Sequence, residues 1–458
     1  MSNKVITISS LFFLLGCLPL LAAEEEKKPL RDFQLSVLPF IGTEGAEVAH
    51  NRYNFSINIF GGITGGVEKF EAGGFGNITR GNVNGMQMAG FINLVSGEVD
   101  GFQGAGFANI SGSNFKGFRG AGFINLAGGS FRGFQGAGFL NSSGGDSQGF
   151  YGAGFANLSG GSQQGFAGAG FANVSGGSQE GFFGAGFVNI AGSFQQGFTG
   201  AGFANVSGGS RQGLSAAGFA NVTGGNASGL QAAGFGNLSK GNFEGIQAAG
   251  FMNISENVRG IQASGFLNVT QKLDGFQVGV INFADTLRSG APIGFLSIVR
   301  KGGLRQLEVA ASDVMHLSIA FRIGVPQFYN IFSIGVRPFS SGESFNAFGY
   351  GVGANIALSQ ASAFQFELHS SQLQNQWRWE KDELDLLNEF RKIIQFNPGL
   401  PFDFFAGMVV YNQYYKHLPE EDITGRDIAP DRVFRRRQSG DYASRWWLGA
   451  RTGIRFGL

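Results

Sequence analysis

The sequence predicts an all-β protein, a 16-residue-repeat β-solenoid flanked by antiparallel strands that form a β-barrel. Three observations lead there. One Asn recurs every 16 residues, at Asn77, Asn93, Asn109, Asn125, Asn141, Asn157, Asn173, Asn189, Asn205, Asn221, Asn237 and Asn253, and Asn268 and Asn282 follow at spacings of 15 and 14. The 78 glycines are mixed with 50 phenylalanines, an apolar content that a disordered Gly-rich linker lacks. After about residue 304 the apolar pattern changes to a period of two, the period of a strand with unlike faces.

Residues 1–23 read as a secretory signal. Lys4 supplies the positive start, Val5 to Leu15 is largely apolar, and Leu21-Ala22-Ala23 ends in small residues before three glutamates. The only cysteine, Cys17, lies in this segment, and Leu14-Leu15-Gly16-Cys17 loosely matches a lipoprotein cleavage box. Cleavage after Ala23 and lipid attachment at Cys17 are the two outcomes; the first leaves a mature chain without a thiol or disulfide. Residues 24–69 hold N-terminal strands: Phe33–Phe40, and a segment in which Tyr53, Phe55, Ile57 and Ile59 alternate with Asn54, Ser56 and Asn58.

Residues 70–303 form the array. A strict short period means stacked units that pack on their neighbours. Four or five Gly per unit exclude helix, at about 1 kcal/mol each relative to Ala. Each unit is then either one solenoid coil, stacked at about 4.8 Å, or a strand and turn of an antiparallel meander. A meander places successive turns at opposite ends of the sheet, where a barrel has unlike turns, so a doubled period would result. The single period favours parallel coils, about 13 of them spanning roughly 60 Å. The Asn column reads as a structural ladder, each amide bonding its neighbours and the backbone, with a row of ligand-binding amides as the functional alternative. The recurring Gly-x-Gly pairs lack the strand–loop–helix context of a phosphate loop. One column varies, running Val83, Val99, Phe115, Phe131, Ser147, Gln163, Gln179, Gln195, Arg211, Ala227, Phe243 and Val258. Its polar members Ser147, Gln163, Gln179, Gln195 and Arg211 are expected outside, as a contact stripe or a solvated edge.

Residues 304–458 read as barrel strands. Leu317, Ile319, Phe321, Ile323 and Val325 alternate with smaller or polar residues, as do Phe348 through Leu358. In the last strand Trp446, Leu448, Ala450, Thr452, Ile454, Phe456 and Leu458 face one way, and Trp447, Gly449, Arg451, Gly453 and Arg455 the other. It resembles the C-terminal strand of bacterial outer-membrane proteins, although Leu458 stands where an aromatic is usual. The run Gln372–Leu387, with Trp377, Trp379, Glu380, Asp382, Glu383 and Asp385, reads as a solvated loop, and Lys416–Arg445 as a mixed-charge loop.

Net charge is +1, and only Lys116, Arg119, Arg132, Arg211, Lys240, Asp146, Glu180 and Glu244 are charged between residues 101 and 253. No face there can neutralise phosphates, so nucleic acid is not an expected partner. His50, His316, His369 and His417 show no ligand spacing, and no catalytic, metal or cofactor residues are expected.

The phrase Gly-Phe/Leu/Ile-Gln-x-Ala/Gly-Gly-Phe-x-Asn, clearest at 101–109, 245–253 and 260–268, resembles that of bacterial surface-repeat proteins of spirochaetes and Bacteroidetes. Gly275-Phe-Gln-Val-Gly-Val-Ile-Asn282 and the stretch Pro292 to Gly303 resemble the end of such arrays. The resemblance implies secretion and surface display and carries over no site residues. The expected function is that of a non-enzymatic surface or outer-membrane repeat protein. Its barrel sits in outer-membrane lipid, and the array, inserted between barrel strands, meets a host, matrix or envelope protein or glycan in an adhesive or structural role. The alternatives are a pore or assembly protein whose repeats line or plug the barrel, and a soluble periplasmic or secreted binding module.

Overall fold

The computed structural model describes residues 28–338, 344–359, 361–374, 384–416, 426, 428–431 and 433–458. The expected leader with Cys17, the residues Trp377 to Glu383 and His417 lie outside the described residues. The chain divides into two compact units, residues 1–250 and 251–458.

The first unit is a parallel β-solenoid with one coil per repeat. A coil consists of a seven-residue strand and a four-residue strand, such as Val99–Ala105 and Ala108–Ser111. Each pairs in parallel with its counterparts one coil away, so Asn109 faces Asn93 on one side and Asn125 on the other. This register excludes the antiparallel meander. The glycines at the third position of the seven-residue strands are steric requirements. Gly133 has φ +129°, and a Cβ there would lie 2.0 Å from the carbonyl oxygen of Gly117, one coil earlier. The same clash recurs at Gly101, Gly117 and Gly149.

The N-terminal strands belong to this stack and are not separate from it. Leu30–Leu38 runs parallel to Arg52–Asn58, which runs parallel to Gly66–Gly73. The coils therefore start before residue 70. A short 3-10 helix, Gly45–Ala49, buries Val48 and Ala49 against Tyr53 and Ile63 and closes the interior at this end.

The second unit opens with coils of the same form, Met252–Ser264, Leu267–Val278, Ile281–Ile293 and Leu296–Lys301. A closed antiparallel barrel follows. Its strands are Leu304–Ser312, Leu317–Val325, Phe328–Arg337, Phe345–Ala357, Ser362–Gln374, Asp385–Phe396, Phe402–Lys416 and Tyr442–Gly457. The first pairs with the last, Leu307 facing Phe456, which closes the ring. A further strand, Arg435–Ser439, extends the hairpin at the end of the last.

The two rims of the barrel differ. Segments 326–327, 358–361 and 397–401 join strands at one rim, where the chain also enters at Leu304 and ends at Leu458. At the opposite rim the strand ends stand further apart in the chain, Ser312 from Leu317, Arg337 from Phe345, Gln374 from Asp385 and Lys416 from Arg435. The array is thus not inserted between barrel strands. It precedes the barrel in the chain and joins it at the short-turn rim.

Candidate functional site

The Asn column is a hydrogen-bonded ladder. In the first unit each Asn Nδ2 donates to the Oδ1 of the next Asn at 2.9–3.0 Å, from Asn77 to Asn93 and onward to Asn237. Its second proton goes to a backbone carbonyl on the facing strand, as from Asn109 to Gly120 at 2.8 Å. In the second unit Asn253 donates to Asn268 and Asn268 to Asn282. These side chains are fully buried, and their donors are spent on the fold, leaving none for a ligand.

The expected contact stripe is inside. Ser147, Gln163, Gln179, Gln195 and Arg211 are all at most 3% exposed. The physical reason is that identical amides one coil apart satisfy each other: Gln179 donates to Gln163 at 3.1 Å and Gln195 to Gln179 at 2.8 Å. Polarity in a stacked interior therefore does not mean exposure. A second interior column, four residues further along the same strand, is not among the columns that the sequence singles out. Gln103 donates to Gln87, and Gln247 to Gln231, at 2.8 and 2.9 Å. The recurring Gly-x-Gln phrase was its signal. The two columns complement each other in size, as Ser147 beside Tyr151 and Arg211 bonding Ser215 show.

Two ionisable groups stand out in this interior. Arg119 is sandwiched by Phe115 and Phe131, at 4.6 and 5.6 Å from their centroids, and donates to Gln135 Oε1. Burial pushes its guanidinium down to about 9, so it stays charged at neutral pH. Glu71 accepts from Gln87, Asn58 and Ser56, and burial raises its carboxyl above the usual range despite those bonds.

Two other columns of phenylalanine line the outside. Phe91, Phe107, Phe123, Phe139, Phe155 and Phe171 stack with centroids 4.7–5.0 Å apart, and Phe118, Phe134, Phe150, Phe166 and Phe182 form a second stack at 4.6–5.1 Å. About 40% of each ring stays exposed, as at Phe155 (41%) and Phe134 (40%). A narrow two-strand interior filled by amide ladders has no room for a continuous ring stack. Between the two ladders runs a glycine column. A Cβ on Gly120, Gly136, Gly152 or Gly168 would meet nothing within 4 Å, so sterics do not demand glycine there. The opposite edge of the coil is polar: Asn114, Ser130, Asp146 and Ser162 accept backbone N–H groups of the following coil, and Lys116, Arg132, Gln148, Gln164 and Glu180 lie beside them.

The barrel is charged within and apolar without. Glu308 is bonded by Arg455 at 2.7 Å and Arg451 at 2.9 Å. Glu367 is bonded by Arg322 at 2.9 Å, Arg455 at 3.2 Å and Arg391 at 3.3 Å. Glu389 pairs with Arg391 and with His369 Nδ1, and Ser333 Oγ lies 2.8 Å from His369 Nε2. Towards the long-loop rim the lumen turns apolar, with Phe345, Leu373, Tyr411 and Trp447 packed under Ile428. Asp385, expected in a solvated run, instead faces this lumen and bonds Gln413 and the Arg426 backbone. Alternation along a strand places it there once the strand starts at residue 385.

The outer wall presents Leu368, Phe390, Ile394, Met408 and Leu448 to the surroundings. Phe364, Phe366, Phe396, Phe402, Phe404 and Phe456 ring the short-turn rim, and Tyr414, Tyr442 and Trp446 stand near the other. Against this wall packs Phe295 from the last coil, its ring 5.5 Å from Phe332 and 5.1 Å from Tyr350.

Among the described residues no group of three or more His, Cys, Asp or Glu could hold a metal ion. The candidate sites that the described residues present are surfaces, the aromatic ladders of the array and the wall of the barrel. No family model matches the chain, and no curated protein and no solved structure shows a match to it.

Proposed function

We propose that the chain is a non-enzymatic outer-membrane protein, held by its C-terminal barrel, whose repeat array serves as a structural or adhesive element. The inversion of the barrel is the observation that carries this reading. Its carboxylates and guanidiniums are paired inside, while Leu, Ile, Met and Phe cover the outside between two aromatic zones. In water such a barrel exposes its apolar surface and buries its charges, unfavourable on both counts. In hydrocarbon the outer wall is matched to its solvent and a polar interior is the normal arrangement. The secreted soluble module is disfavoured on the same ground.

The pore alternative has less support, because eight strands enclose a lumen just wide enough for side chains, and Arg455, Glu367, Tyr411 and Trp447 occupy it. An enzyme is disfavoured by the array itself, whose repeated rungs bring no unlike reactive groups together. Export fits both the signal-like N-terminus and the repeat phrase, which resembles that of bacterial surface-repeat proteins.

The rims refine the expected display. Outer-membrane barrels carry their short turns on the periplasmic side and longer loops outside. The array joins at the short-turn rim, so this reading puts it in the periplasm and narrows its partners to envelope proteins, glycans or lipid. The test is fractionation combined with proteolysis of intact cells, with epitopes at the mature N-terminus and within 375–383. Outer-membrane recovery, with the loop epitope cut and the N-terminal one protected, supports the proposal. Recovery in the soluble fraction overturns the barrel anchor, and surface cleavage of the N-terminal epitope overturns the orientation.

A further inference from the structure

We infer that the array is an amphipathic solenoid whose aromatic edge beds into the lipid leaflet of the membrane that the barrel spans. The inference rests on the barrel reading and adds a second lipid contact to it. Around one coil, the positions of Phe102, Gly104, Phe107, Ala108 and Ile110 make up one edge. Across the repeats aligned with them no charged residue occurs at any of these positions. The exposed charges lie elsewhere on the coil, at positions such as Lys116 and Glu180. An element with one apolar and one polar side along its length is suited to the interface between water and hydrocarbon. Exposed apolar surface of this extent marks a membrane or protein contact.

Two observations select lipid over a protein partner. The first is continuity. In the second unit the ladder column runs through Phe266, stacked on Phe251, then Val280 and Phe295. Its last rung, Phe295, lies on Phe332 and Tyr350, which point outward from the barrel. The second unit's own rungs therefore end on the wall that the proposed function assigns to lipid. The second is the sameness of the rungs. Phe134, Phe150 and Phe166 repeat at 4.6–5.1 Å with nearly parallel rings. A protein partner, including a second copy of this chain, finds no register on such a surface, since a shift of one rung restores the same contacts. A fluid leaflet needs no register. The open glycine floor at Gly136 and Gly152 leaves space between the ladders that acyl chains can fill.

Site-directed spin labelling of the full mature chain, reconstituted in phosphatidylethanolamine–phosphatidylglycerol vesicles, tests this. Labels are placed singly at Phe155→Cys on the ladder, Gln164→Cys on the polar edge and Leu448→Cys on the barrel wall. The readout is relaxation by oxygen, which partitions into lipid, against a water-soluble nickel chelate. The expected result is a ratio of oxygen to nickel effect several-fold higher at 155 than at 164, and similar to that at 448. A lipid signature at 448 with a water signature at 155 overturns the inference and leaves the barrel anchor standing. Low accessibility to both reagents at 155 also overturns it, in favour of burial against another protein copy. A water signature at 448 overturns the barrel reading and the inference together.

Discussion

Asn157 shows what one residue does in this fold. It donates to Asn173 Oδ1 and to the Gly168 carbonyl, and it accepts from Asn141. Replacing it with Ala leaves buried partners unpaired on three sides. The expected cost is about 2–3 kcal/mol, from a loss of about 1–3 kcal/mol for each buried group left unsatisfied, offset by relaxation. A urea titration of Asn157→Ala against the native chain measures it. Glu71 supplies the pH counterpart. Its carboxyl is raised in the folded state by burial, so the fold binds this proton more tightly than the unfolded chain does. That contribution is fully present below the unfolded carboxyl range and is lost as pH rises through the raised folded value. Stability should therefore fall on going from acid towards neutral pH, and Glu71→Gln should remove that slope. Thermal unfolding of both proteins across this interval checks it; parallel curves would show that Glu71 contributes nothing. At this scale the sequence was half legible. The even spacing of Asn marked a buried ladder, because only a stacked interior demands one amide per coil. The side on which Gln163 and Gln179 lie was not legible, because polarity points to water where here a neighbouring amide serves instead.

A single coil is a compromise between glycine and phenylalanine, and two glycines separate their roles. Gly133 sits at φ +129° with a carbonyl oxygen 2.0 Å from where a Cβ would be, whereas Gly136 has open space around that position. Gly133→Ala should be strongly destabilising, through left-handed strain of about 1–2 kcal/mol and the clash on top of it. Gly136→Ala should fold normally, within about 0.5 kcal/mol of the native chain. Limited proteolysis and thermal denaturation of the pair distinguish them, and equal losses would show that the glycine between the ladders is a packing requirement after all. The interior column gives the opposite kind of change. Arg119 carries a charge where its neighbours one coil away are Gln103 and Gln135. Arg119→Gln would continue the amide ladder and remove a buried charge, so it should be neutral or stabilising. The period made this element readable: 16 residues without a slip can only stack in register. Nothing in the period tells which face of a strand is inside, and here both faces carry plausible core residues, amides on one and rings on the other.

In both parts of the molecule amides or charges lie inside beside apolar residues such as Phe115, Phe131 and Trp447, while rows of large apolar side chains lie outside, so a soluble-protein reading of every large hydrophobic residue as core fails for both. In the barrel the sequence did show the alternation, down to the two faces of Trp446–Leu458, but it could not show that Arg451 and Arg455 of the last strand meet Glu308 of the first. That pairing exists only because the ring closes. Closure also makes the network a unit. Glu367 holds Arg322, Arg391 and Arg455 together from three different strands. Glu367→Ala leaves those guanidiniums short of an anion in a buried space, and breaking a buried pair in this way costs about 3–5 kcal/mol. The barrel should then unfold at clearly lower urea in detergent micelles, followed by fluorescence of Trp446 and Trp447, whereas conversion of Leu448 on the outer wall to Ala should move the midpoint little. The contrast follows from the solvent assigned to each face. If lipid or detergent covers the wall, trimming Leu448 exchanges one apolar contact for another, while the lumen charges have only each other. If water covered the wall instead, Leu448→Ala would relieve exposed apolar surface and raise the midpoint, while Glu367→Ala would still break the lumen network.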